Sequence, residues 1–251
     1  MAPGILALLW GLLAGSALLI GSAAGYFFNM PKRAIAGITA FGSGVLISAL
    51  SFELMDDAYK RGGFDSTAIG FLTGAILFTI ANFILSKKGA KHRKRSGDKQ
   101  ISNKENSSSG MAIAIGSLID GIPESIVIGL SMLKGGVVSI VAVIAIFLSN
   151  VPEGLSSTSG MKKAGRSKLY IFGIWGGIAI ISGFASMAGY SIFRDYSPEI
   201  IAATTAVAAG AILAMLVDTM IPEAFEEAHN FAGIITVAGF LASFILSKLE
   251  G

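Results

Sequence analysis

Two short motifs in this chain place carboxylates beside prolines within apolar runs, a combination that can bind a cation. The first reads D-G-I-P-E over residues 120–124, inside the apolar run 111–133. The second reads S-N-V-P-E-G over residues 149–154, inside the run 137–161. A carboxylate in a lipid-spanning segment is costly, so it faces a partner, a cavity or a cation. Asp120 and Glu124 are four residues apart, as are Ser149 and Glu153, so each pair shares one helical face. Pro123 and Pro152 have no backbone N–H to offer the carbonyls of Ile119 and Leu148, which leaves those oxygens free for another partner. Two kinked helices carrying carboxylates, an amide and freed carbonyls have the makings of a cation site.

The segments that must position these motifs are apolar throughout. Hydrophobic residues make up 53% of the 251-residue chain and charged residues 14%, with a mean hydropathy of +0.71. A soluble domain is about one quarter charged, so these values exclude that class and predict a polytopic membrane protein. The 32 glycines suit close-packed transmembrane helices. Cysteine is absent, which removes disulfides and thiolate metal sites. Eight spans are expected, at 3–28, 34–58, 67–86, 111–133, 137–161, 169–193, 198–221 and 231–249, within one transmembrane domain over residues 1–251. The first reads alternatively as a cleaved signal peptide. However, basic residues are missing before it, and Lys32 and Arg33 follow it, which favours a retained span.

Lys and Arg placement sets orientation. With the N-terminus outside, fourteen of the 19 fall on the inner side: Lys32 and Arg33, the eight between Lys87 and Lys104, and Lys162, Lys163, Arg166 and Lys168. Lys60, Arg61, Lys134, Arg194 and Lys248 fall outside. The expected fold is therefore an all-α integral membrane protein of eight transmembrane helices, arranged 3+5, with both termini outside. The stretch 87–110 cannot bury a core and is expected to be a disordered, basic cytoplasmic loop that exposes Lys94 and touches at most anionic lipid. A regulatory or metal-sensing role for His92 is the alternative.

Acidic residues fall at three depths. Glu53, Asp56 and Asp57 end the second span on its outer side; Asp120, Glu124 and Glu153, with Ser149 and Asn150, lie near mid-membrane. Asp218, Glu223, Glu226 and Glu227, with His229, lie at the inner end of the seventh span. No Lys or Arg falls deep in any span, so nothing there is expected to neutralise the central acids. Protonated acids that hydrogen-bond between helices are the bland alternative, and Asp56, Asp57, Glu226 and Glu227 also read as solvated helix ends. Outer mouth, centre and inner mouth together outline a cation path through Glu53, Asp57, Asp218, Glu223 and His229. The centre would be a metal site of Asp120, Glu124 and Glu153, with Asn150 and Ser149. The spans four and five that carry it are expected to be neighbours, because only a short turn containing Gly135 and Gly136 joins them.

These residues resemble the ZIP (Zrt/Irt-like) divalent metal transporters. That family has eight spans, a variable cytoplasmic loop between spans three and four, an H-N-x-P-E-G motif on span four and an H/Q-D/N-x-P-E-G motif on span five. The resemblance covers essentially the whole chain, including G-V-L-I-S-A-L-S-F-E-L from residue 44 and D-T-M-I-P-E-A from residue 218. It maps Glu124, Asn150 and Glu153 onto matching positions. Asp120 stands for the family's His, Gly121 for its Asn, and Ser149 for its His or Gln. Ser186 stands where the family often has a Glu on span six, which weakens a second metal position. The resemblance implies transport of zinc, iron, manganese or cadmium, a metal ion and the lipid bilayer as partners, and no catalytic role.

The ligand types point elsewhere, since imidazole and thiolate favour zinc whereas carboxylate, amide and carbonyl oxygens suit Mn²⁺, Mg²⁺ or Ca²⁺. Zinc remains the family-based expectation. The expected setting is the plasma membrane of a prokaryote, with a homodimer as one arrangement and nucleic acid not among the partners. An intramembrane hydrolase is disfavoured because no span carries a histidine and Asp120 with Asp218 lacks the G-x-G-D setting. A monovalent-cation or proton-coupled solute carrier is the stronger rival, because acids beside broken helices serve such proteins too.

Overall fold

The computed structural model describes residues 1–94, 96, 109–133 and 135–250, and every regular element among them is helical. These are α1 (Pro3–Phe27), α2 (Lys32–Ala49), α3 (Asp56–Leu85), α4 (Ser109–Ser131), α5 (Ile140–Lys163), α6 (Lys168–Phe193), α7 (Pro198–Met215), α8 (Ile221–Ala228) and α9 (Ala232–Glu250). Six helical stretches are long and apolar enough to cross a membrane, and the chain is a multi-pass membrane protein. Its outer surface fits that solvent. Ile69, Leu72, Ile76, Ile80 and Phe83 on α3, and Ile234, Val237, Leu241 and Ile245 on α9, are all exposed. Their three- and four-residue spacing paints one apolar stripe along each helix. The buried set, by contrast, includes Asp120, Glu124, Asn150 and Glu153.

Two of the six stretches, Lys32–Lys88 and Pro198–Leu249, are continuous over 57 and 52 residues, where the sequence predicts two spans and a polar link in each. The reasons are local. After α2 the helix widens into a π-helical stretch, Leu50–Met55, and resumes directly as α3, so Tyr59 to Gly62, expected as part of a link, are helical. The break comes at Gly63, whose φ of 70° and ψ of −171° are open to a residue without a Cβ. In the second stretch a π-helical turn, Leu216–Met220, joins α7 to α8, and His229, at φ 43°, breaks the chain before α9. A third π-helical turn, Ser86–Ala90, follows α3. Inserted residues of this kind let a helix change its facing without ending, and they often mark functional positions.

Small residues set the helix pairs. A side chain on Gly21 of α1 would strike the backbone of Val151, and one on Gly154 of α5 would strike that of Leu18, so α1 and α5 lie in backbone contact. Farther along the same pair, Trp175 of α6 donates to the Thr158 hydroxyl at 2.9 Å, and that hydroxyl donates to Ser22 of α1, also at 2.9 Å. The expected intimacy of the two motif helices is not found. α4 packs mainly on α6 and α5 mainly on α1, so the motifs face each other with little direct contact between their helices.

The links gather at two ends. Lys162 Nζ donates to the Tyr26 carbonyl, Lys163 Nζ donates to the Ser96 carbonyl, and Lys32 lies 3.7 Å from Glu227. That is the lysine-rich end. At the opposite end Glu53 accepts from Ser139, just before α5, at 3.3 Å, and from Ser247, late in α9, at 2.6 Å.

Candidate cation site

Pro123 and Pro152 lie inside unbroken helices, so each Pro-Glu pair keeps its carboxylate on the face set by the turn before it. These faces bring Asp120 and Glu153 together, and what they share is Lys94. The Lys94 ammonium lies 2.8 Å from Glu153 Oε2, 3.3 Å from Asp120 Oδ2 and 3.3 Å from the Met215 sulfur. Beside it, Arg93 grips Asp120 with both prongs, Nε to Oδ2 and Nη2 to Oδ1, each at 2.9 Å. All four charged groups are sealed from solvent: Arg93 is 1% exposed, Asp120 2%, Lys94 5% and Glu153 6%. Burial works against the Lys94 charge, but the Asp120 and Glu153 carboxylates outweigh it and hold the ammonium above the ordinary lysine range.

The stretch expected to be disordered from Lys87 thus begins as an ordered segment, and Lys94 is buried rather than exposed to the cytoplasm. Residues Arg95 and 97–108 of that stretch lie outside the described residues. Two of the three central acids, Asp120 and Glu153, are neutralised after all, by cations that arrive from the segment after α3. His92 beside them is half-buried.

The segment is fastened along its length. Arg93 Nη1 donates to Asn82 Oδ1 at 2.8 Å, and Asn82 Nδ2 donates to Asp218 at 3.3 Å. The Ser96 N–H donates to Glu223 Oε1 at 2.8 Å. The Ser156 hydroxyl lies between the Lys94 carbonyl, 2.5 Å away, and that same Glu223 oxygen, 2.9 Å away. On α4, Gly116 leaves the room that Arg93 fills, since a Cβ there would sit 2.6 Å from Arg93 Cδ. Asp218 and Glu223, expected along a path, therefore hold this segment, whereas His229 is exposed at the α8–α9 corner.

The other expected ligands divide. Glu124 is buried, and its Oε2 has no hydrogen-bond partner among the described residues. Ser149 bonds back to the Ile146 carbonyl of its own helix at 2.9 Å. Asn150 donates to the Ala14 carbonyl of α1 at 3.0 Å, so its amide NH₂ stitches two helices together. Ser186 likewise donates to the Ala7 carbonyl at 2.8 Å. Among the described residues no three His, Cys, Asp or Glu side chains converge closely enough to hold a metal, with the Lys94 ammonium lying between the two central carboxylates. Arg93, Lys94, Asn82, Ser156 and Met215 were not expected at the site.

No protein-family model and no curated protein matches this chain.

Toward the Glu53 end the path opens. A cavity of about 410 Å³ is lined by Glu53, Asp56, Asp57, Val127, Ser139 and Ser247, among others. Between it and the acidic centre, Leu46, Leu50, Ile146 and Ile212 close around a void of about 10 Å³. Its lining of apolar side chains offers a water no polar partners, so it stays dry. Along α5 the order is Ala142 at the cavity, Ile146 at the dry layer and Glu153 at the charged centre. Eleven residues separate the first from the last, about 16 Å of helix.

Proposed function

We propose that the chain transports a divalent metal cation, with Asp120, Glu124 and Glu153 as its central ligands. The observation that carries this reading is the Lys94 ammonium lodged between Asp120 and Glu153, which marks a position where the interior of the bundle receives positive charge. The open oxygen of Glu124 adds a further acceptor near it. The eight-span topology of the ZIP-like reading fits the two long stretches if Gly63 and His229 mark turns between paired crossings. A 57-residue straight helix would run about 85 Å, far beyond a ~30 Å hydrocarbon core. In that topology the lysine-rich end faces the cytoplasm and both termini lie outside.

The ligand set also bears on the ion. Beside two carboxylates stands the Met215 thioether, a soft donor that Mg²⁺ and Ca²⁺ do not favour. On this count zinc, cadmium or iron fits better than the hard alkaline-earth ions. One observation favours a second reading, a monovalent-cation or proton-coupled carrier, because the group lodged in the site is itself a monovalent ammonium.

Flux into proteoliposomes across a panel of Zn²⁺, Cd²⁺, Fe²⁺, Mn²⁺, Mg²⁺ and Na⁺, with and without a proton gradient, separates the two. The expected result is saturable flux of the first four ions that survives loss of the gradient and disappears in Glu153→Gln. Flux of Na⁺ alone, or a strict need for the gradient, would move the assignment to the second reading.

A further inference from the structure

Arg93, Lys94 and Ser96 are built into the acidic centre more thoroughly than residues of a surface loop have reason to be. Two consecutive cations enter side by side, and their combined charge equals that of one divalent ion. Each makes the contacts an ion would make: Lys94 takes one oxygen from each motif and the Met215 sulfur, and Arg93 takes both oxygens of Asp120. The backbone is fastened as well, through Ser156 on α5 and Glu223 on α8. α4 supplies a glycine, Gly116, where any side chain would collide with Arg93. The opposite approach is shut by the dry apolar layer around Ile146 and Ile212.

From this arrangement we infer that Arg93 and Lys94, anchored by Ser96, form a tethered plug that occupies the cation site and competes with the cargo for Asp120 and Glu153. This rests on the proposed transport function for the identity of the cargo, but not for the plug itself. When one partner of a buried ion pair leaves, the other is an uncompensated buried charge at a heavy cost, so the carboxylates release the plug most cheaply to another cation that meets them. A divalent ion is such a cation, so cargo in the site and plug in the site exclude each other. The consequence is quantitative: cargo binds only the unplugged fraction, and its apparent dissociation constant rises by the reciprocal of that fraction. If about one molecule in ten is unplugged, the cost is about tenfold in affinity.

Two independent measurements test the plug. Dicyclohexylcarbodiimide activates a buried carboxyl, and an amine in contact with it then displaces the urea to leave an amide. Full-length protein treated in metal-free membranes should yield a Lys94–Glu153 or Lys94–Asp120 amide, read by mass spectrometry of its peptides, and saturating Mn²⁺ or Zn²⁺ should suppress it. Absence of that amide, or its persistence at saturating concentrations of every ion the protein binds, overturns the plug. The second measurement is equilibrium Mn²⁺ binding to two variants. Arg93→Gln with Lys94→Gln removes the competing charge, and Gly116→Leu evicts Arg93 by bulk while leaving every charge in place. Both should tighten binding by about tenfold. Unchanged or weaker binding in the Gly116→Leu protein, with its fold intact by thermal melting, overturns the competition. Should the amide form but the variants tighten Na⁺ rather than Mn²⁺, the plug stands and the divalent reading falls.

Discussion

The two mouths of this protein use the same materials in opposite ways. At the Glu53 end the ion pairs are local: Lys60 with Asp56 and Arg61 with Asp57, each four residues apart on α3 and partly solvated. At the lysine-rich end the pairs join Arg93 to Asp120 across 27 residues and Lys94 to Glu153 across 59, with both partners buried. Local pairs of this kind leave the chain where it already was, and the mouth stays open as a cavity of about 410 Å³. Long-range buried pairs carry a segment of chain with them, and the mouth fills. Separation along the sequence, together with burial, therefore distinguishes a vestibule from a plugged site even where both carry equal numbers of acids and bases.

The comparison breaks outright if the two mouths are not on opposite sides of the membrane. Cysteine is absent from the chain, so single reporters are clean. Lys88 at the lysine-rich end and Asp195 in the α6–α7 link are both exposed. Lys88→Cys should be labelled by an impermeant thiol reagent only from the cytoplasmic side, and Asp195→Cys only from outside. Labelling of both from one face would end the eight-crossing topology and the assignment of mouths with it.

A smaller but still large effect is expected from unequal ion pairs. Asp120→Asn leaves Arg93 and Lys94 buried with less than their full countercharge, which by analogy with other buried pairs costs about 3–5 kcal/mol. Asp57→Asn removes one partly exposed i,i+4 pair, worth about 0.3–0.5 kcal/mol. Thermal melting of the metal-free protein in detergent should rank them so, and Asp120→Asn combined with Arg93→Gln should recover part of the loss. Equal losses from Asp120→Asn and Asp57→Asn would mean that the central pairs are solvated and the plug is loose.

What the sequence discloses and what it hides follow the same division. Apolar runs long enough to span, and prolines next to carboxylates, are patterns within about twenty residues, and both carry through to buried helices with Glu124 and Glu153 inside. The π-helical stretch at Leu50–Met55 escapes because one inserted residue leaves composition unchanged while the helix runs on past Ala58. Ser149 and Asn150 look like ligands on a helical face. A serine inside a helix, however, readily bonds back to its own backbone, and an amide at a close crossing can serve the neighbouring helix instead. The plug is least legible of all. A run of lysine and arginine after a span reads as a topology signal, and only tertiary contact singles out Arg93 and Lys94 from the basic residues around them. Gly116 is the one local trace, a gap on α4 whose purpose appears only with Arg93 in it.

The smallest expected effect is also the most discriminating, because it should change sign. Ser156 at the plug and Ser247 at the vestibule each place one hydroxyl near a glutamate, Ser156 beside Glu223 and Ser247 beside Glu53. Ser247 is half-buried at an open cavity, so water replaces its hydroxyl in Ser247→Ala, and the loss should stay near the low end of about 0.5–1.5 kcal/mol. Ser156 is buried, and Ser156→Ala leaves the Lys94 carbonyl without that hydroxyl, a loss of about 1–3 kcal/mol in the metal-free protein. A bond made only in the plugged state should do something more. Its removal raises the unplugged fraction, so Ser156→Ala should bind Mn²⁺ more tightly even as it melts at a lower temperature. Ser247→Ala should alter neither quantity by much. If Ser156→Ala lowers stability and Mn²⁺ affinity together, its hydroxyl supports the site rather than the plug, and the two mouths differ in burial alone.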